Sequence, residues 1–191
     1  MPEQHSVHGV MLDVFGMGVL ILGESGIGKS EIALDLLSRG HRFVSDDRVY
    51  LQVKDAALIA SGSRTTQHME VRGLGILDVR ALFGVTAVRQ SKRVQLVVRL
   101  MPWDAAGEVD RTGLAEQHWE HEGISLPMVL IPVHYGRNIG TIIEVAARNQ
   151  LLKLGGYHAA RVFNDALIAA MAKRAGESPG EENGGMSHGE G

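Results

Sequence analysis

The apolar positions of the chain fall into short runs punctuated by glycine, followed by two longer stretches with helical spacing. Residues 6–14 (SVHGVMLDV) read as a strand, 15–18 (FGMG) as a turn, and 19–22 (VLIL) as a wholly apolar run of the kind buried on both faces of a sheet. Residues 30–39 (SEIALDLLSR) are amphipathic. Ile32, Leu36 and Leu37 share one helical face, and Gly40 stands where a C-terminal cap belongs. Residues 42–45 predict another short strand, ending at Asp46 and Asp47. Strand, glycine loop, helix, strand is the start of an α/β fold.

Beyond this point, residues 49–53, 94–100 and 128–133 predict strands, and 141–145 (TIIEV) a further one. Residues 144–154 and 157–174 predict helices, separated at Gly155 and Gly156. In the second helix Val162, Phe163, Leu167, Ile168 and Met171 fall on one face, expected to be core or subunit contact. The reading is one domain over residues 1–175 and a disordered tail over 176–191 (GESPGEENGGMSHGEG).

Composition narrows the function classes. The net charge is −3, and the tail alone holds four Glu and no Lys or Arg, so the rest is close to neutral. There is no broad basic field for nucleic acid. With no cysteine, disulfides, zinc thiolates and thiol catalysis are excluded. No apolar run approaches the ~18 residues of a membrane span, and the first residues lack a signal pattern. The expectation is a cytoplasmic protein without nucleic-acid or membrane partners. Glycine, at 24 residues, is roughly twice its usual ~7% share, which directs attention to glycine-rich loops.

One such loop is diagnostic. Gly23, Glu24, Ser25, Gly26, Ile27, Gly28, Lys29 and Ser30 match the phosphate-binding pattern G-x-x-x-x-G-K-[ST], the Walker A or P-loop motif, throughout. Glycines let backbone N–H groups turn toward phosphate oxygens, and the helix that follows directs its positive end at the same anion. Lys29 is suited to the β and γ phosphates, and the Ser30 hydroxyl to Mg²⁺. The preceding apolar strand and following amphipathic helix supply the context the motif requires.

Phosphate binding leaves GTPase switches, transporter ATPases and kinases open. Asp46 and Asp47 follow Lys29 by only 17 and 18 residues. Beside a nucleotide, one carboxylate can bear on a metal and the other accept a proton from an incoming hydroxyl. In isolation the pair reads better as a solvated turn or a helix cap. Residues 69–78 (MEVRGLGILD) put Glu70 and Arg72 beside a glycine loop, which suits either a catalytic segment or a surface hairpin.

Together these stretches resemble the catalytic domain of the HPr kinase/phosphorylase family. The matching segments are HGVMLDVFGMGVLILGESGIGKSE, RGHRFVSDDRV, EVRGLGILDVRALFG, VDRTG and PVHYGRNIGTIIEVAARN, in the family's order and covering most of residues 5–165. The resemblance implies a P-loop kinase fold related to phosphoenolpyruvate carboxykinase, with a mixed sheet flanked by helices. It implies a bifunctional enzyme that phosphorylates a serine of the phosphocarrier protein HPr with ATP or pyrophosphate. The same enzyme removes that phosphate with inorganic phosphate, giving pyrophosphate. It also implies a homo-hexamer.

Residue by residue, the resemblance implies that the loop from Gly23 to Ser30 binds the nucleotide and that Ser30 and Glu70 bind Mg²⁺. Asp47 matches the base for the serine proton, with Asp46 adjacent and His8 placed near it. Arg111 matches a catalytic arginine, and residues 132–137 (PVHYGR), including Arg137, match a loop important for dephosphorylation. Family members often carry Lys where this chain has His134, which makes the phosphorylase direction pH-sensitive. Full-length members usually carry an additional N-terminal domain. The competing readings are a P-loop kinase of a different protein or small-molecule acceptor, and a nucleotide-dependent regulatory module with little catalysis. The Asp46, Asp47, Glu70 and Arg111 set argues against the module, since a pure binder needs no base. His118, His121 and Glu122 read as a polar surface segment, not a metal cluster.

Overall fold

The computed structural model describes residues 5–63, 67–104 and 116–176. The chain divides into two compact units, Met1–Tyr157 and His158–Gly191. In order along the first unit come β1 (His5–His8), β2 (Val10–Val14), β3 (Met17–Leu22), α1 (Lys29–Ser38), β4 (Arg42–Ser45) and β5 (Arg48–Lys54). These are followed by β6 (Ala57–Ser61), β7 (His68–Val71), β8 (Gly75–Asp78), α2 (Val79–Phe83), a 3-10 turn (Val85–Ala87) and β9 (Ser91–Arg93). The unit closes with β10 (Leu96–Pro102), β11 (Gln117–His121), β12 (Ile124–Val133) and α3 (Ile139–Leu154).

A six-stranded mixed sheet runs β11-β12-β10-β3-β2-β4, with β3, β10 and β12 mutually parallel and the remaining pairings antiparallel. A four-stranded antiparallel sheet runs β1-β5-β6-β9, and β7 with β8 forms a separate hairpin.

The six-stranded sheet is covered on both faces, and alternation along each strand divides its side chains. Val19 and Ile21 of β3, with Val10, Leu12 and Val14 of β2 and Leu96, Val98 and Leu100 of β10, pack against α1 and α3. Leu20, Leu22, Met11 and Val97 point the other way, into a second core with Val49, Leu51, Leu58 and Ala60 of the four-stranded sheet. This double burial is why VLIL carries no polar alternation. Each such side chain, fully buried, contributes roughly 1.5–3 kcal/mol.

One charge interrupts that pattern. Asp13 lies within β2 with its side chain 3% exposed, 2.7 Å from Arg89 Nε and 3.2 Å from Lys92 Nζ. The contact with Arg89 rests on proximity of charge, since the two atoms do not align as a hydrogen bond.

Three expectations need correction. The strand over 6–14 is two strands, because the chain crosses between sheets at Gly9. A Cβ there would come within 2.7 Å of the Ile21 carbonyl oxygen, so glycine permits the close crossing. The turn over 15–18 is narrower: Phe15 and Gly16 take positive φ, and β3 already begins at Met17. The strand over 141–145 is helix. Asn138 accepts a hydrogen bond from the Thr141 amide at 3.0 Å as N-cap, and Ile139, Ile143 and Ala147 make a buried stripe at four-residue spacing. Cap and stripe outweigh the weak strand preference of β-branched residues.

The end of α1 is as expected. Gly40 has φ 91°, its amide reaches the Leu37 carbonyl at 2.9 Å, and the His41 amide reaches Leu36 at 3.1 Å, the paired closure of a Schellman cap. In the second unit, α4 (Ala159–Gly176) exposes Val162, Phe163, Leu167, Ile168 and Met171. Of the expected tail over 176–191, Gly176 is the last residue of α4, and 177–191 lie outside the described residues.

Candidate active site

The P-loop joins the end of β3 to the start of α1. Gly26 and Gly28 take φ 82° and 98°, which L side chains adopt only with strain. At Gly23 a Cβ would meet the Leu100 carbonyl oxygen at 3.0 Å and Ile27 at 3.1 Å, so the loop packs directly on β10. Gly28 is the N-cap of α1 and no side chain caps the helix, so the first-turn amides face the loop with the helix dipole behind them. Lys29 is buried, and its ammonium donates to the carbonyls of Gly23 and Glu24 at 2.8 Å each. Burial lowers its proton affinity, while the charges of Asp46 and Asp47 oppose that shift. The loop thus offers an anion a fixed cation and a set of amides.

Asp46 and Asp47 occupy the corner where the chain leaves β4 of one sheet and enters β5 of the other. The corner is tightened by the Arg48 amide on the Asp46 carbonyl at 2.8 Å and by Ser45 Oγ on the Arg48 carbonyl at 2.7 Å. The two carboxylates part company there. Asp46 turns inward and accepts the Ser30 hydroxyl at 3.0 and 3.1 Å and the Glu70 backbone amide at 3.2 Å. Burial raises its pKa, partly offset by those hydrogen bonds.

Asp47 has φ 65° and turns outward, with its side chain 79% exposed. Its Oδ1 lies 3.0 Å from His8 Nδ1, which also lies 3.1 Å from the Asp47 carbonyl oxygen. Both partners are acceptors, so this network assigns the proton to Nδ1. Antiparallel pairing of β1 with β5 sets His8 opposite Arg48, and the Gly9 amide holds the Asp47 carbonyl at 3.2 Å. The sheet register therefore delivers His8 to Asp47 across 39 residues of sequence.

Glu70 lies on β7 between buried Met69 and Val71, which seat the hairpin on the main core. The segment 69–78 is a hairpin whose turn closes from the Leu74 amide to the Val71 carbonyl at 3.0 Å. Its packing brings the Glu70 backbone amide to Asp46. Ser30 and Asp46 meet at hydrogen-bond distance and Glu70 joins them through its backbone amide; hydroxyl and carboxylate oxygens are the donor types that suit Mg²⁺, which keeps waters and phosphate oxygens in its shell. Among the described residues no three His, Asp or Glu side chains converge on a metal position.

The parallel strands place the last part of the site. Leu22 pairs with Arg99, and Pro102 pairs with Val133, so β3, β10 and β12 end on one edge of the sheet. That edge is where α/β sheets bind ligands. Beyond β12, the Arg137 amide reaches the His134 carbonyl at 3.2 Å across Gly136 at φ 83°. Arg137 Nη1 donates to the Pro132 carbonyl at 3.0 Å, and His134 Nδ1 to the Tyr135 carbonyl at 2.6 Å. Arg111 lies outside the described residues.

Two features escaped sequence reasoning. Trp103 follows the end of β10 and contacts both His134 and Arg137; its position after a parallel strand was the available signal. The other is a polar network tying α1 to α3. His41 Nε2 meets Glu144 at 2.8 Å, and Arg39 reaches Asp35, Asn138, Thr141 and Glu144 at 3.0–3.2 Å. The His41 hydrogen bond, then the Arg39 charge, lowers the Glu144 pKa despite partial burial. No local pattern announces contacts between segments so far apart in the chain.

Comparison with known proteins follows the same lines. The family model described as the HPr serine kinase C-terminal domain matches residues 1–167. The chain is 51% identical over 176 residues to the HPr kinase/phosphorylase of Geobacter sulfurreducens, covering 91% of this chain and 55% of the relative. With an HPr kinase/phosphorylase of Treponema pallidum subsp. pallidum it shares 44% identity over 177 residues, covering 91% of this chain and 56% of the relative. It therefore spans about half the length of the curated relatives it matches. Among solved structures, the Hpr(Ser) kinase/phosphatase of Coxiella burnetii superposes with a TM-score of 0.75 at 36% identity, covering 84% of this chain and 98% of that one.

Proposed function

This chain belongs to the HPr serine kinase C-terminal domain family, and on that basis we propose that it transfers a phosphoryl group from ATP to a serine of HPr and removes it again with inorganic phosphate. The observation that carries the reading is the division of the adjacent carboxylates. Asp46 is bound to the P-loop Ser30, while Asp47 is exposed and paired with His8. A binding module has no use for the second arrangement.

In the kinase direction Lys29 and the amides of the loop hold the β and γ phosphates. Mg²⁺, when bound at Ser30 with Asp46 and Glu70, supplies further neutralisation of phosphate charge. Asp47 takes the proton from the serine hydroxyl as the new oxygen–phosphorus bond forms and the bond to the departing ADP breaks. His8 orients that carboxylate through Nδ1–H. From the family resemblance, Arg111 completes the positive surroundings of the migrating group, while Arg137 belongs to the 132–137 loop that serves the reverse direction. In reverse, inorganic phosphate attacks the phosphoserine phosphorus, Asp47 returns a proton to the serine oxygen, and pyrophosphate is released. One residue serves as base and acid by microscopic reversibility.

We further read the working enzyme as a cytoplasmic homo-hexamer. The family resemblance and the exposed apolar face of α4 support assembly. No helix among the described residues is long and apolar enough to cross a membrane. The test is intact-mass measurement on purified HPr incubated with this protein, ATP and Mg²⁺, then with excess inorganic phosphate. The expected result is a phosphate-sized gain on serine that reverses with release of pyrophosphate. ATP turnover with no gain on HPr would overturn the acceptor, and ATP binding with no turnover would overturn catalysis.

A further inference from the structure

The loop over residues 132–137 carries two side chains of interest, His134 and Arg137, whose described hydrogen bonds go to the loop's own backbone, His134 Nδ1 to the Tyr135 carbonyl at 2.6 Å and Arg137 Nη1 to the Pro132 carbonyl at 3.0 Å. All four residues from His134 to Arg137 are exposed, and Tyr135 at the tip is 98% exposed. The backbone is fixed by the Arg137 amide on His134 and by Arg137 Nη1 on Pro132. The imidazole and the guanidinium share one further partner. The His134 ring centroid lies 5.1 Å from that of Trp103, tilted by 60°, and the Arg137 guanidinium carbon lies 5.7 Å from the same indole.

Sheet register explains the meeting. Pro102 pairs with Val133 across parallel strands, so the next residue of each strand, Trp103 and His134, leaves the sheet side by side. The guanidinium is then within the ~6 Å over which an aromatic face attracts a cation. Indole is the strongest of the protein aromatic faces for this purpose, and it is large enough to meet both side chains at once.

We propose that Trp103 is a positioning residue. Its indole holds His134 and Arg137 in the orientation the 132–137 loop needs at the carboxyl edge of the sheet, and it does so mainly for the dephosphorylation direction. The second clause rests on the function proposed above; the positioning itself does not. Trp103 touches neither the P-loop nor Asp46 or Asp47 among the described contacts. Its loss is therefore expected to spare nucleotide binding and to act through the loop.

The experiment compares Trp103→Ala, Trp103→Leu and Trp103→Phe in the full chain, with two readouts. Amide hydrogen exchange at Arg137 reads loop order without any activity. Exchange should quicken about fivefold in the Ala and Leu variants and stay near wild type in Phe, the size expected for one exposed cation–aromatic contact. Leu keeps apolar bulk without the aromatic face, so it guards against an Ala variant that folds poorly. Kinetics on HPr and phospho-HPr then read direction: phosphorylase kcat should fall about tenfold in Ala and Leu, with the KM for ATP within about twofold, and Phe should recover most of it. Unchanged Arg137 exchange in Ala and Leu overturns the proposal, as does an equal fall of both activities. If the wild type moves no phosphate to or from HPr, the proposed function fails, and the exchange result alone decides the positioning role.

Discussion

Replacing Asp47 with Asn tests the separation of the two carboxylates most directly. The substitution keeps size and hydrogen-bonding atoms but removes the charge that accepts a proton. It also suits the backbone, since φ is 65° here and Asn tolerates the left-handed region where Ala costs about 1–2 kcal/mol. The folded state should notice little. The Asp47 and His8 side chains are 79% and 49% exposed, and such a pair is worth about 0–1 kcal/mol. His8 also retains its contact with the residue 47 carbonyl oxygen, which the substitution leaves alone. The unfolding midpoint should therefore move by no more than about 2–4 °C. The rate should respond far more. Loss of a positioned base costs about 10²–10⁴ in rate, or about 2.7–5.5 kcal/mol in the barrier. Steady-state kinetics should show that fall in kcat for both directions, with the KM for ATP within about threefold, because Lys29, Ser30 and Asp46 are untouched. Asp46→Asn should instead raise the KM for Mg-ATP. An Asp47→Asn variant that keeps more than about a tenth of both rates would refute the assignment, as would one that loses a single direction.

Three further outcomes follow from the packing. Removing Asp13 by Asp13→Ala takes away the buried carboxylate between Arg89 and Lys92, both of which keep access to solvent, and should destabilise by about 1–3 kcal/mol in urea unfolding; a loss under about 0.5 kcal/mol would mean that the cluster is solvated. Gly18→Ala should destabilise strongly, since a Cβ there would fall 1.8 Å from the Arg93 carbonyl oxygen and backbone would have to shift; an unchanged melting temperature would contradict that close approach. Glu144 has a pKa lowered from 4.5 by the His41 hydrogen bond, so its ionised form stabilises the fold above that value and the benefit is lost as pH falls through the lowered pKa. Glu144→Gln should therefore flatten the acid side of Tm against pH, and a variant with the wild-type acid slope would remove Glu144 from the account.

The P-loop was complete in the linear chain, because that chemistry needs eight consecutive residues and a fixed strand and helix on either side. So were the buried strands, whose VLIL-type runs reflect two covered faces. Local pattern failed where a cap or a crossing decided the outcome: TIIEV became helix because Asn138 and a buried stripe begin it, and residues 6–14 were split because Gly9 lets the chain change sheets. The site was legible as a set of residue types, with the family resemblance supplying the roles. Which of the two adjacent aspartates faces Ser30 was not legible, because it depends on a positive φ at one corner between two sheets. The approach of His8 to Asp47 came from the family resemblance and not from local pattern, and that of Trp103 to His134 from neither, since strand register across distant segments brings those atoms together. Register is fixed by how whole faces bury, and that is settled in the assembled molecule, not in any one segment of it.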